Sequence, residues 1–234
     1  MYILSPAHMI YFCEERTVQV MAKTKNLKGT KETILISAAE VFLDHGYYDT
    51  TVRMIAQKAE VNQALINYHF GDKEALYLEV IRYWAREAFK DFPFNALNDA
   101  SLPAEEKIRL FIFHTMLCLF GPEGKGTGFG TLLAHEAALH PSSIASEIVA
   151  ETIKRPTANL EEAIKAITGI DDTEKLKVFT ACIVGQTVYF YLSRHLTSDL
   201  FGIDQIRGVD DITKLSGLIY QFSIAALQRL NETV

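Results

Sequence analysis

The sequence contains little cysteine and no long apolar run. Its three cysteines, Cys13, Cys118 and Cys182, are odd in number, far apart and in no metal-ligand spacing. This pattern excludes a disulfide framework and indicates a reducing compartment, so we expect a cytoplasmic protein. No apolar stretch approaches the roughly 20 residues that a membrane-spanning helix needs, so we expect no membrane partner.

Catalytic and metal-binding signatures are also missing. No local Ser/His/Asp or Cys/His set appears, so we expect the protein not to be an enzyme. The glycine-rich run 121–130 has no strand before it and no Gly-Lys-Ser/Thr end, which excludes a P-loop. His135 and His140 share no helix face, because they lie at i and i+5. We therefore expect neither a metal ion nor a cofactor.

The charge is unevenly distributed along the chain. The net charge is −6, and hydrophobic residues make up 49% of the sequence, as in a globular protein. Residues 22–31 nevertheless carry four lysines and no acid: Lys23, Lys25, Lys28 and Lys31. Such a basic arm suits contact with phosphates, although a solvated, frayed terminus has the same composition.

The first 21 residues do not resemble the rest of the chain. They lack the basic start and the apolar run of a signal peptide. We expect residues 1–21 to be a disordered N-terminal extension, and Met21 is a more natural start than Met1.

The apolar periodicity is helical almost everywhere, and no strand-like alternation or internal repeat is present. In the N-terminal part, a first helix is expected at about 31–45, ended by Gly46. Three further helices follow, with expected N-caps at Thr50 or Thr51, at Asn62 and at Asp72. Gly71 is expected to end the third helix.

The C-terminal part predicts five more helices. They are expected at about 104–120, at 129–139, from 141–143 onward, at 173–196 and from 210 onward. The last helix places Leu215, Leu218, Ile219, Phe222, Ala226 and Leu230 along one side. The two last long helices have wide apolar faces, and we expect them to pair with their symmetry mates in a homodimer, although a monomeric core could use the same faces.

The most informative segment is 50–73, TTVRMIAQKAEVNQALINYHFGDK. Two short helices joined by a tight turn form a helix-turn-helix, here at about 51–70. The outward side chains of its second helix are polar, and Gln or Asn can form paired hydrogen bonds with adenine in the major groove. By spacing alone, an ordinary pair of packed helices fits equally well.

Three motifs stand out in and around this region. They are Ala38-Ala39-x-x-Phe42-x-x-x-Gly46-Tyr47, Thr51-Val52-Arg53-x-Ile55-Ala56, and Tyr68-His69-Phe70-Gly71-x-Lys73-Glu74-Ala75-Leu76-Tyr77. With these motifs the chain resembles the tetracycline-repressor (TetR/AcrR) family over about 28–88. The third motif, with Ile66-Asn67 before it, and weaker similarity at Arg155-Pro156, Gly185-Gln186 and Arg194 indicate the branch with a CerR/CecR-type C-terminal domain.

The resemblance implies an all-α fold, with an N-terminal three-helix DNA-binding domain (22–90) and a larger C-terminal helical domain (91–234) for ligand binding and dimerisation. It further implies a repressor that binds a palindromic double-stranded operator as a homodimer and responds to a small-molecule effector. An activator or a corepressor-dependent regulator of the same family is an alternative. A helical ligand-binding protein without DNA binding is a second alternative, from another class.

Individual site residues follow from the resemblance. Gln63, Ala64 and Asn67 would face bases. The residues that would hold phosphates are Thr51, Arg53, Tyr68, His69 and Lys73. One position departs from the family pattern, because Glu60 stands where a glycine is usual in the turn. If φ is positive there, Glu60 costs on the order of 1 kcal/mol.

A ligand pocket is expected among the helices of the C-terminal domain, although plain core packing explains any single residue there equally well. The candidate ligand-binding residues are His114, Phe129, His135, Glu136, Arg155, Gln186 and Tyr189.

Overall fold

The computed structural model describes residues 29–91, 97–121, 127–128, 130, 143–202 and 206–231, and within these ranges the regular elements are helices. The described residues fall in two compact units. One lies within Met1–Glu87 and Thr131–Val149, and the other within Ala88–Gly130 and Ala150–Val234. The extension expected at 1–21 lies outside the described residues, as do Lys23, Lys25 and Lys28. The helix expected at 129–139 is described only at Gly130.

The first unit contains α1 (Thr30–Asp49), α2 (Val52–Lys58), α3 (Gln63–Phe70) and the beginning of α4 (Lys73–Asp91). Its core is formed by one side of each helix, on which apolar residues recur at helical spacing. The fully buried side chains include Ile34, Phe42, Ile55, Ile66, Leu76 and Val80.

Three predicted N-caps of this unit are confirmed. The hydroxyl of Thr51 accepts from the Met54 amide at 3.2 Å, and Asn62 Oδ1 accepts from the Leu65 amide at 2.8 Å. Asp72 Oδ1 accepts from the Ala75 amide at 2.8 Å. Each bond satisfies one backbone donor that the first helical turn leaves free, so these side chains fix where α2, α3 and α4 begin.

The predicted glycine stops act differently from each other. Gly71 ends α3 with φ 88°. Gly46 stops the regular part of α1 as predicted, with φ 72° and ψ 178°, and one more helical turn follows it to Asp49. Thr50 closes this added turn by donating its hydroxyl to the Gly46 carbonyl at 2.7 Å.

The second unit contains α5 (Ala104–Phe120), most of α6 (Ser143–Thr168), α7 (Thr173–Leu192), α8 (Arg194–Phe201) and α9 (Val209–Asn231). Within this unit α5 packs against both α7 and α9, which also contact each other, and α8 packs against α7. Asp172 caps α7 by accepting from the Glu174 and Lys175 amides.

The prediction of one helix over 173–196 was wrong. The helix ends at Leu192, and Ser193 takes φ −100° and ψ 17° before α8 begins. Both the amide and the hydroxyl of Ser193 donate to the Tyr189 carbonyl, which satisfies the end of α7. Arg194 stabilises the break further, because its guanidinium donates to the Tyr191 carbonyl at 2.9 Å.

Both α7 and α9 have two apolar faces. On α9, Ile212, Ile219 and Leu227 are buried, whereas Leu218 is 62% and Phe222 71% exposed. The apolar set expected along one side of this helix is therefore split, because Leu218 and Ile219 differ by about 100° around the axis. The outer face of α7 is exposed in the same way and consists of Val178, Cys182, Gly185, Tyr189 and Leu192.

The chain after α5 returns closely against that helix. Thr127 donates its amide to the Leu119 carbonyl at 3.0 Å and its hydroxyl to the Cys118 carbonyl at 2.6 Å. A Cβ atom at Gly130 would lie 2.5 Å from the Leu119 carbonyl oxygen and 2.9 Å from the Tyr191 ring. Glycine is therefore required at this contact. Within the described ranges, no helix is both long and apolar enough to cross a membrane.

Candidate nucleic-acid interface

Helix α3 presents two different faces. Ile66 is fully buried in the core of the first unit, and Leu65 and Phe70 pack against that core. The opposite face is exposed and carries Gln63, Ala64, Asn67 and Tyr68, the last of which is 82% exposed. The exposed amides have donors and acceptors available for base edges, and core packing does not account for Tyr68.

The ends of α3 are fixed by its caps. Because Asn62 Oδ1 accepts from the Leu65 amide, this oxygen is already engaged and does not belong to the free polar face. At the other end, the Gly71 amide donates to the Asn67 carbonyl at 2.8 Å. Only the backbone of Asn67 takes part in that bond, and its side-chain amide forms no hydrogen bond with another described residue.

The turn between α2 and α3 contains a strained residue. Glu60 has φ 55°, and it is the one non-glycine residue with positive φ in the described part of the chain. The turn is closed by the Val61 amide, which donates to the Ala56 carbonyl at 3.0 Å. The sequence predicts a cost at Glu60 if its φ is positive, and φ is positive here. The backbone of Glu60 is therefore in the left-handed conformation that favours glycine.

The start of α2 offers two further polar groups. The Thr51 oxygen accepts from the Met54 amide, which leaves its hydroxyl proton available for donation outward. Arg53 is exposed and forms no hydrogen bond or ion pair with another described residue. A helix start with a free hydroxyl and a free guanidinium is suited to hold an anion.

The rings at the end of α3 contact each other. Tyr68 and His69 meet edge to face with centroids 5.1 Å apart, and His69 and Phe70 lie 6.3 Å apart. His69 is half-buried, so its ring is held in place by its neighbours. Lys31 lies 5.5 Å above the Phe70 ring and brings a positive charge close to this end of α3.

Lys73 has a role that the sequence did not indicate. Its Nζ donates to the Tyr47 carbonyl at 2.9 Å and to the Thr50 carbonyl at 3.0 Å, and it lies 4.3 Å from the centroid of the Tyr47 ring. The acceptors are backbone carbonyls 26 and 23 residues away in sequence, so no side-chain pattern could reveal the contact. Lys73 is half-buried, unlike the exposed Arg53.

The candidate ligand-binding residues occupy different environments. His114 is buried in α5, and burial, followed by the charge of Arg109, lowers its pKa to about 4. Arg155 and Tyr189 are exposed on α6 and α7. Gln186 donates to the Ser223 hydroxyl of α9 at 3.5 Å. Phe129, His135 and Glu136 lie outside the described residues.

Two protein families match the chain. Residues 34–80 match the family described as "Bacterial regulatory proteins, tetR family". Residues 104–227 match the family described as "HTH-type transcriptional dual regulator CecR, C-terminal domain". The second match covers more than half of the chain.

Curated relatives match over short stretches of the chain. The HTH-type transcriptional regulator HbdR of Aromatoleum sp. (strain CIB) is 35% identical over 60 residues, which are 26% of this chain and 26% of that protein. The chain thus spans about a quarter of the length of the curated relatives it matches first.

Solved structures share the fold over most of the chain. AibR, in complex with isovaleryl coenzyme A and operator DNA, has a TM-score of 0.60 at 21% identity and covers 82% of this chain and 97% of its own. FadR of Bacillus subtilis, in complex with stearoyl-CoA, has a TM-score of 0.60 at 17% identity and covers 83% and 97%. At these identities the likeness establishes the fold.

Proposed function

Since the chain belongs to the tetracycline-repressor family, with a CecR-type C-terminal domain, we propose that it is a ligand-responsive transcriptional repressor that binds a palindromic operator as a homodimer. Residues 22–90 form the DNA-binding domain in this proposal, and residues 91–234 bind the ligand and the second copy. The protein acts in the cytoplasm and does so without enzymatic activity.

The observation that carries the proposal is the free polar face of α3. Ile66 anchors the helix, while Gln63 and Asn67 point away from the core. An amide side chain on an exposed helix face can form two hydrogen bonds with adenine in the major groove, with roughly 1–3 kcal/mol of discrimination. Ala64 lies on the same exposed face and can contact a thymine methyl group.

Phosphate contacts fix the register of α3 on the duplex in this proposal. Thr51 and Arg53 at the start of α2 have free donors, and Tyr68 extends its phenol from the end of α3. His69 is half-buried against Tyr68 and contributes one ring N–H.

The test is a salt-titrated binding measurement on the DNA upstream of the protein's own gene. Sequence preference with a steep salt dependence supports a regulator. Asn67→Ala should reduce the preference at one or two base positions by roughly 1–3 kcal/mol, whereas Arg53→Gln should weaken all sequences alike. Glu162→Ala removes an exposed polar side chain from α6 and serves as the control. Equal losses on every sequence from Asn67→Ala and Arg53→Gln would contradict the assigned roles.

We propose that the outer faces of α7 and α9 hold the second copy. The outer residues of α7 follow one another at intervals of four, three, four and three, from Val178 to Leu192. This is the spacing of a seam between helices that cross at about 20°. Leu218 and Phe222 supply large apolar side chains on α9, and such a surface is unfavourable in water unless a partner covers it.

Dimerisation is tested with Phe222→Glu. Removing a central aromatic anchor costs about 2 kcal/mol, and a twofold interface contains it twice, so the dissociation constant should rise roughly a thousand-fold. Sedimentation of this variant should give a monomer where the parent gives a dimer. Glu162→Lys on the exposed side of α6 is the control. Alkylation of Cys182, on the outer face of α7, should be faster in the Phe222→Glu variant. Unchanged sedimentation and alkylation would disprove this interface.

Effector release requires that the ligand bind the DNA-free form more tightly than the DNA-bound form. Helix α4 runs from the first unit into the second, beginning at Lys73 and ending at Asp91. We propose that ligand binding displaces α4 and separates the two reading helices. AibR and FadR bind acyl-CoA molecules, so isovaleryl-CoA and stearoyl-CoA are the first probes.

The effector experiment has two readouts. A ligand that raises the unfolding temperature and also releases DNA supports the mechanism, because both follow from preferential binding to one form. A reporter gene under the protein's own promoter shows whether loss of the protein raises or lowers expression. Lower expression would support an activator, which the "dual regulator" description of the matching family makes a specific alternative.

A further inference from the structure

We propose that Lys73 is a positioning residue, whose ammonium group fixes the α1–α2 turn (46–51) to the first turn of α4 and thereby orients the phosphate-binding start of α2. This inference rests on the proposed DNA binding and deepens it. It assigns Lys73 a role other than direct phosphate contact.

The contacts of the ammonium group carry the proposal. Nζ donates to two carbonyls of the α1–α2 turn, those of Tyr47 at 2.9 Å and Thr50 at 3.0 Å. An ammonium group has three donors, so two of them are used inside the protein. Charge-assisted hydrogen bonds are about twice as strong as neutral ones, so this bridge is strong compared with other contacts of the turn.

The aromatic ring of Tyr47 packs against the Lys73 ammonium group. Its centroid lies 4.3 Å from the Lys73 Nζ. The same ring contacts that of Tyr77, which lies one helical turn after Lys73 on α4, at a centroid distance of 4.8 Å. Tyr77 in turn meets Phe42 edge to face at 4.8 Å. Two residues of α4 therefore hold the same segment, Tyr77 through its ring and Lys73 through its charge.

The bridged turn leads directly into the DNA-binding surface. Thr50 is buried, and its hydroxyl donates to the Gly46 carbonyl at 2.7 Å, so the turn has little freedom once Lys73 is in place. The next residue, Thr51, caps α2 and has the free hydroxyl assigned to a phosphate. A shift of the first turn of α4 would therefore move the start of α2. Through Lys73, the position of α4 thus determines the position of the proposed DNA-binding residues.

The test compares Lys73→Met and Lys73→Gln in the full-length protein. Both remove the charge, but the amide of Gln keeps a donor for one of the two carbonyls. A phosphate-contact role predicts equal loss of DNA affinity in both, with a salt slope that falls by about 0.9. A positioning role predicts an unchanged slope, a lower ratio of specific to non-specific affinity, and a larger loss for Met, of about tenfold or more.

Hydrogen exchange of the free protein gives an independent readout. The Met54 amide, which donates to Thr51, should exchange about tenfold faster in Lys73→Met and less so in Lys73→Gln. A residue that acts only on phosphate leaves this rate unchanged in the absence of DNA. Arg53→Gln is the phosphate-contact reference and should lower the salt slope without changing the exchange rate. Lys154→Gln, on the exposed side of α6, controls for loss of charge.

The outcomes separate the two proposals. If the parent protein prefers no DNA sequence, the proposed function fails, while hydrogen exchange still tests the Lys73 bridge. If both variants keep the parent's exchange rate and specificity ratio and lose only salt slope, the positioning role is refuted. Should Lys73→Met not fold, the slope and the exchange rate of Lys73→Gln decide in the same way.

Discussion

Replacing Glu60 by glycine in the turn between α2 and α3 should stabilise the protein, because Glu60 has φ 55°. A side chain with a Cβ atom in the left-handed region costs roughly 1–2 kcal/mol, whereas glycine adopts it without that cost. Glycine loses about 0.5–1 kcal/mol more backbone entropy on folding. Glu60→Gly should therefore stabilise the first unit by about 0.5–1 kcal/mol.

The matched control is Glu60→Ala, which removes the same carboxylate but keeps the unfavourable φ. The difference between the two variants thus isolates backbone strain from surface charge. Asn tolerates the left-handed conformation better than most residues, so Glu60→Asn should lie between them.

The single tryptophan of the sequence makes the measurement specific. Trp84 lies on α4 and packs against the core of the first unit, so its fluorescence in urea follows the unfolding of that unit. The protein concentration must be equal in all samples, because association shifts apparent stability. If Glu60→Gly is no more stable than Glu60→Ala, the left-handed conformation of the turn is not the source of strain.

Three further perturbations test the second unit. Burial lowers the pKa of His114 from 6.5 to about 4, so the unfolded chain binds a proton in that window and the folded chain does not. Stability should fall by up to about 3 kcal/mol as the pH drops from 6.5 to 4, and urea titrations should show a flatter profile for His114→Gln. Gly130→Ala should destabilise the protein by about 1–3 kcal/mol in urea unfolding, because the new Cβ meets the Leu119 carbonyl. Gly217→Ala, with open space around the added carbon, should instead gain up to about 1 kcal/mol.

Local features of the fold could be predicted from the sequence. Thr51, Asn62 and Asp72 cap their helices through hydrogen bonds that span three residues, so each bond is encoded in a short stretch of sequence. The bounds of α5, Ala104–Phe120, agree with the prediction because its apolar residues and its ends are encoded locally in the same way.

Other features could not be predicted from the local residue pattern. The break at Ser193 contains neither glycine nor proline, and it is stabilised by bonds to carbonyls that a continuous helix would also present. The two acceptors of Lys73 are backbone groups of another helix end. Which of Leu218 and Ile219 faces the core depends on where α5 packs, which no local spacing specifies.

The side chains that anchor α3 are not those of its free polar face, so folding and the proposed base contacts depend on different residues. Folding depends on Ile66, on the Asn62 cap and on Gly71, none of which belongs to the free polar face. Exposed positions outside such anchors can usually be replaced at a cost within about 0.5 kcal/mol. After gene duplication, a copy could therefore exchange Gln63 or Asn67 and acquire a new target site while remaining folded. The same separation lets a randomised library at these positions consist mostly of intact proteins.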